Sequence, residues 1–150
     1  MTTNPRPLLA FAVICERTLR EVDGVLTIVR IIDKIFVPEL APTGATYGLT
    51  LAVGLKSGDF KGKGKLRVEF LPPSGIKLPT NEIEIALTGG EHGANVVVNI
   101  SIAFKEEGLH WFDVYFDDLL LTRAPLVVAV IPQSPTQKQS DTEAPKTEKR

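Results

Sequence analysis

The chain reads as an all-β protein, an antiparallel two-sheet sandwich of the immunoglobulin-like type, and three observations predict it. Apolar residues recur at every second position through four long segments, the spacing of strands that bury one face. Clusters of Gly, Pro and Asp separate the segments at near-regular intervals, as in sandwiches. No window places its apolar residues at helical spacing over three turns, so no α-helix longer than about two turns is expected.

Each element follows from local chemistry. Residues 8–14 are a short apolar run between Pro5 and Pro7 on one side and Cys15-Glu16-Arg17 on the other, which favours a buried strand. Asp23-Gly24 is a turn signal that launches the β-branched run Val25-Leu26-Thr27-Ile28-Val29-Arg30-Ile31-Ile32. Both of its faces are apolar, which predicts cover on two sides or a bulge that shifts the register. Tyr47, Leu49, Leu51, Val53 and Leu55 then alternate with Thr46, Gly48, Thr50, Ala52 and Gly54. The small set leaves an outer surface flat enough to lie against something.

Residues 56–64 read as a loop, after which Leu66, Val68 and Phe70 alternate with Lys65, Arg67 and Glu69. Pro72-Pro73-Ser74-Gly75 forbids continuation and makes a turn. Ile83, Ile85 and Leu87 alternate with Glu82, Glu84 and Ala86, and Val96, Val98, Ile100, Ile102 and Phe104 with Val97, Asn99, Ser101 and Ala103. After a turn at Lys105-Glu106-Glu107-Gly108 comes the organising stretch, in which His110, Phe112, Val114 and Phe116 form one row and Trp111, Asp113 and Tyr115 the other. Pro125 interrupts the last apolar run, so it belongs on an edge, at a bulge or where the strand crosses between sheets.

The expected core includes Phe11, Val13, Leu26, Ile28, Leu49, Leu51, Val53, Leu66, Val68, Phe70, Ile83, Ile85, Val98, Ile100, Ile102, Phe112, Val114, Leu126 and Val128. The domain organisation reads as an N-terminal extension over residues 1–7, one sandwich over 8–131 and a tail over 132–150. That tail holds no large apolar residue, and it cannot bury enough surface to offset its ordering entropy.

Composition narrows the function classes. A net charge of -1 offers no global attraction to nucleic acid or anionic lipid. The N-terminal apolar run of seven residues is too short for a membrane span and lacks a signal-cleavage pattern. Cys15 is the single cysteine and has no disulfide partner within the chain, which fits a reducing, cytoplasmic setting. A zinc site would need Cys15, the scattered His92 and His110, and carboxylates. No cofactor or metal site is expected.

Trp111, Asp113 and Tyr115 are the leading candidates for partner binding. A solvated strand face does not need two aromatic rings around a carboxylate, whereas Trp and Tyr are frequent interface anchors. Rise along the strand separates the two rings by about 13 Å, so they bracket a site rather than stack. The alternative is anion or nucleic-acid binding through Lys56, Lys61, Lys63, Lys65 and Arg67, the only basic cluster. It has one aromatic and no Walker pattern, so a solubilising loop is the plainer reading. A hydrolase using His110 and Asp113 is disfavoured because an odd separation places them on opposite faces of a strand. Asp117-Asp118 reads as turn chemistry rather than a calcium loop.

A strand ending in Cys15, the Gly-led hairpin Gly24–Ile32 followed by Asp33, the Pro73-Ser74-Gly75 turn, and Gly108-x-His110-Trp111-Phe112-x-Val114 completed by Pro125-Leu126-Val127-Val128 form a recognisable set. Together they resemble an uncharacterised bacterial and phage family of small β-sandwich domains, a domain of unknown function, over residues 8–131. The resemblance implies the fold and no activity. The chain departs from the family pattern at His110, where a tyrosine is usual, and at Asp117-Asp118 in place of Asp-Gly. The sequence therefore predicts a non-enzymatic binding or assembly module whose partner is a protein or a second copy of itself.

Overall fold

The computed structural model describes residues 5–42 and 44–132. Residues 133–150 of the predicted tail and residues 1–4 of the extension lie outside them. Among the described residues nine strands follow in chain order: β1 (Leu8–Arg20), β2 (Leu26–Ile31), β3 (Lys34–Val37), β4 (Tyr47–Gly58), β5 (Gly62–Leu71), β6 (Leu78–Leu87), β7 (Gly90–Ile102), β8 (Gly108–Phe116) and β9 (Leu119–Val130). They form a four-stranded sheet in the order β2-β1-β4-β7 and a five-stranded sheet in the order β3-β9-β8-β5-β6. The protein is thus an all-β, immunoglobulin-like two-sheet sandwich, as the alternation predicts. One pairing departs from the antiparallel rule: β3 runs parallel to β9, with Lys34 beside Val127 and Val37 beside Val130. Four residues flanked by charge and proline carry too short a pattern to announce this strand.

The core lies between the sheets. Leu49, Leu51, Val53 and Leu55 of β4, Leu66, Val68 and Phe70 of β5, and Phe112, Val114 and Phe116 of β8 are all buried. Lys65 is exposed, and Arg67 and Glu69 keep outward positions, so the predicted register of β5 holds. The N-terminal strands differ from expectation. Ile14 is the residue of β1 buried in the core between the sheets, packed with the partly buried Leu9 and Ala12, whereas Phe11 and Val13 point outward and are only half-buried. A register shift between Leu9 and Phe11 inverts the facing, because one extra residue exchanges the two sides of a strand.

Leu26 and Ile28 are likewise half-buried. Beyond Cys15 the strand β1 pairs only with β2, so the two continue as a ribbon outside the main body of the sheet. Arg30 takes a left-handed φ of 52° within it, and Ile31 is 66% exposed. The two apolar faces of β2 reflect this ribbon rather than double cover. At its tip Gly24 adopts φ 85° and donates its N–H to the Glu21 carbonyl at 2.9 Å, confirming the turn.

The loop expected over residues 56–64 is mostly strand: β4 runs to Gly58 and β5 starts at Gly62, so residues 59–61 alone join them. β7 begins at Gly90, inside the glycine-rich stretch around His92. Pro125 meets its edge requirement: β3 covers β9 only from Val127 onward, leaving the proline side of the strand unpaired. The outer surface of the four-stranded sheet is built of Phe11, Val13 and Cys15 on β1, Gly48, Thr50, Ala52 and Gly54 on β4, and Asn95, Val97, Asn99 and Ser101 on β7.

Candidate functional site

The outward row of β8 gathers the strongest set of interacting side chains. Cross-strand register decides the set: β5 places Arg67 beside Tyr115, Glu69 beside Asp113 and Leu71 beside Trp111, while β9 places Arg123 beside Asp113. Glu69 directly opposite Asp113 is a like-charge pair, an unfavourable contact by itself. Lys77, from the segment after the Pro72–Gly75 turn, offsets it by approaching Glu69 at 3.6 Å and Asp113 at 3.7 Å.

Asp113 is 2% exposed. A buried carboxylate needs hydrogen-bonding partners, and Arg123 donates Nε–H to its Oδ1 at 2.8 Å. The same guanidinium lies over the Trp111 ring, 4.8 Å from its centroid. Arg67 lies over the Tyr115 ring at 4.6 Å and reaches Glu69 at 3.3 Å. Lys77 donates to the Tyr115 hydroxyl at 3.1 Å, and this bond, with the nearby Glu69 and Asp113, raises the Lys77 pKa and holds it charged. Both rings are half-buried. Each is thus held between a cation above and the sheet below, an arrangement that fixes ring orientation.

The basic cluster is dispersed by the same logic. Lys63 pairs with Glu84 at 3.4 Å and Lys65 with Glu82 at 3.1 Å across the β5–β6 ladder. The Glu82 and Glu84 that read as a plain solvated row are counter-ions. Lys56 runs over Gly93, and the aliphatic part of Lys61 over Gly89. Lys63, Lys65 and Arg67 thus follow one row of β5 against paired carboxylates, and Lys56 lies on β4 of the other sheet, so the five cations are not focused in one groove.

His110 and Asp113 occupy opposite sides of β8. The imidazole is 1% exposed, stacked on Phe70 at 5.3 Å and edge-on to Phe104 at 5.4 Å. Its Nδ1–H donates to the Gly108 carbonyl at 2.9 Å, and burial pushes its pKa down. This is a core histidine satisfied by backbone, on the same row of β8 as Phe112 and Val114. Cys15 is buried, which raises its thiol pKa. Asp117 adopts φ 50° in the β8–β9 turn, accepts from the Lys65 N–H at 2.9 Å and donates its own N–H to the Lys65 carbonyl at 2.8 Å. Among the described residues no three His, Cys, Asp or Glu side chains converge as metal ligands, and no helix is long and apolar enough to cross a membrane.

Sequence reasoning missed Glu69, Lys77 and Arg123. Lys77 sits in a non-periodic segment, and Arg123 depends on the β8–β9 register. Glu106 and Glu107, read only as a turn, accept backbone N–H groups of Ser74 and Val130 and fasten that turn to its neighbours.

Residues 10–129 match the family of unknown function DUF6941, and the chain belongs to that family. No curated protein matches it in sequence. Among solved structures it is similar to a β-glucosidase from Listeria innocua solved with glucose, at 18% identity and a TM-score of 0.49 over 65% of this chain and 15% of that one. An immunoglobulin-like protein from Pseudomonas aeruginosa aligns at 12% identity and TM-score 0.43, covering 83% of this chain and 97% of that one. The CARDB domain of a Pyrococcus furiosus protein, solved with two metal ions, aligns at 14% identity and TM-score 0.42, covering 87% and 100%. This chain spans about 15% of the glucosidase, and the sugar and metal ions are properties of those proteins.

Proposed function

We propose that this member of the family is a non-enzymatic, cytoplasmic binding module of a bacterium or its phage, which holds a protein partner on the outer face of β8. The observation that carries the reading is the state of Trp111 and Tyr115. Both rings keep exposed surface while cations and a buried carboxylate fix their orientation. Rigid aromatic anchors lose little conformational entropy on docking. Trp, Tyr and Arg are also the residue types that dominate interface energetics, and here they alternate in one patch with Asp113 between the rings.

Positive and negative groups are balanced across the face: Arg67, Lys77 and Arg123 stand against Glu69, Asp113 and Asp118. A polyanion would meet the carboxylates along with the cations, so a protein surface of mixed charge suits the site better than nucleic acid.

The test is a Trp111→Ser, Tyr115→Ser double variant of the full chain, compared with wild type by thermal melting and by partner capture from the native host. The expected result is a folded protein that no longer retains the captured protein. Unchanged capture by a folded variant overturns the assignment, and loss of folding reassigns the rings to the structural frame.

A further inference from the structure

Among the described residues each sheet ends in strands with a neighbour on one side only, β2 and β7 in the four-stranded sheet and β3 and β6 in the five-stranded one. An open edge is a template for a further strand, and proteins that stay single blunt it with short strands, charge or bulges. Three of these edges are blunted. β3 has four residues, β2 is broken by the left-handed Arg30, and β6 carries Glu82 and Glu84 and a bulge beside Asn81. β7 is the exception. From Gly93 to Ile102 it pairs with β4 without a break in register, and that stretch, Gly-Ala-Asn-Val-Val-Val-Asn-Ile-Ser-Ile, holds no charge and no proline.

We propose that the free edge of β7 pairs with the same edge of a second copy of the chain, antiparallel about a two-fold axis through Val97. An isologous contact must complement itself, and this strand does so residue by residue. Asn95-Val96-Val97-Val98-Asn99 reads the same in both directions. With Val97 opposite its own copy, Asn95 meets Asn99 and Val96 meets Val98. Branched pairs and amide pairs both stabilise a ladder, and this register opposes no like charges.

Backbone direction selects the same axis. The Ile14 carbonyl of β1 accepts the Ile32 N–H at 2.7 Å, so the peptide groups of Ile14 point away from β4. Both groups of a residue in an antiparallel strand point to one side, and the side alternates along the chain. Carried through the Ile14–Leu51 and Leu51–Val98 registers, this rule turns Val98 toward β4 and Asn95, Val97 and Asn99 toward the free edge. The Asn99 carbonyl agrees, for it accepts from Asn81 Nδ2 of the other sheet at 3.1 Å. Val97 can therefore exchange two bonds with its own copy, and the Asn95–Asn99 pairs on either side bring the total to about six. A carbonyl has two lone pairs, so Asn81 keeps its bond.

The inward row of an added strand also finds cover. A slot of about 410 Å³ beside this edge is lined by Phe70, Leu78, Ile100 and Ile102 together with Asn81 and Asn99. In the paired register Ala94 and Val96 of the second copy stand opposite Ile100 and Val98, on the row that faces the slot. A single strand pair buries less than the roughly 800 Å² per partner of a standard interface, which sets the dissociation constant on the order of 10 µM. Each copy has one such edge, so assembly closes at two.

Sedimentation equilibrium of the full chain, from about 1 to about 300 µM, should show the mass rising from 16.4 kDa toward twice that value. Val97→Lys sets two ammonium groups against each other at the axis and should weaken the dimer by about 10-fold or more. Val97 is on the outward row and half-buried, so the lysine reaches water in the single chain, and an unchanged circular dichroism spectrum verifies the fold. Cysteine linking reads the register. Val97→Cys should give a disulfide-linked dimer under mild oxidation, because directly opposed residues have Cα atoms about 5.5 Å apart. Asn95→Cys alone should not link, whereas a mixture of Asn95→Cys and Asn99→Cys chains should. Cys15 is fully buried and stays out of the reaction.

A wild type that remains at the chain mass throughout the range leaves the edge to a strand of another protein and overturns the proposal. So does a dimer that withstands Val97→Lys, or one in which Asn95→Cys links to itself and Val97→Cys does not. If Val97→Lys fails to fold, the cysteine variants decide alone. A dimer that dissociates in the Trp111→Ser, Tyr115→Ser variant and withstands Val97→Lys moves self-association to the β8 face and sinks the β7 pairing.

Discussion

The two outer faces of the sandwich treat the same physical problem in opposite ways. Outward positions of the five-stranded sheet are rich in charge, with Lys63 on Glu84, Lys65 on Glu82, Arg67 on Glu69 and Arg123 on Asp113. Those of the four-stranded sheet are small or uncharged, and Cys15 and Ala52 reach zero exposure beneath Phe11, Val13 and their neighbours. A face of paired long side chains satisfies water and specifies geometry. A face of glycine, alanine and valine lets a neighbouring ring such as Phe11 lie flat over the backbone and withdraws the small residues themselves from water. The difference teaches that the alternation of a strand says which residues point out, not what the outward side is for.

Substitutions break or sharpen this contrast in decreasing order of effect. Gly54→Val places methyl groups where the Phe11 ring lies and should cost about 2–3 kcal/mol through overpacking. Urea denaturation checks it, and an unchanged midpoint would show that Phe11 is not seated on the sheet. Asp113→Ala, on the charged face, removes a buried acceptor and frees Arg123. Because Arg123 itself is 40% exposed in its side chain, water compensates part of the loss and the cost should be about 1–2 kcal/mol. Raising salt should narrow the gap between this variant and wild type.

The interior between the faces supplies a pH response. Burial lowers the pKa of His110 in the folded protein, so the unfolded chain takes up the proton more readily. Stability is then fully present above the ordinary histidine pKa of about 6.5 and is lost as pH falls from there toward the lower folded value. Chemical denaturation across that window should show a slope that His110→Leu removes. The smallest effect belongs to Lys63→Ala. Its pair with Glu84 is 73% and 60% exposed, and its loss should change stability by less than about 0.5 kcal/mol, below what most melting experiments resolve.

The sequence by itself determined the fold class and most of the core. Period-two alternation in β4 to β8 gives the inward rows directly, since side-chain direction along a strand is set by backbone geometry alone. It also placed His110 inside and Trp111, Asp113 and Tyr115 on the outward row, for the same reason. Tertiary structure decided everything that depends on a neighbour from another strand. The shift at Leu9 and Phe11 turned Ile14 inward and Phe11 outward, a change of one residue that a continuous apolar run cannot reveal. The parallel β3 acquired its meaning only from β9. The ion-paired set around Asp113 required registers that brought Glu69 and Arg123 alongside it and a turn that returned Lys77 above it. Such contacts join residues up to 44 positions apart in the chain, and the pairing energy of a sheet is a sum over strands that no single segment encodes.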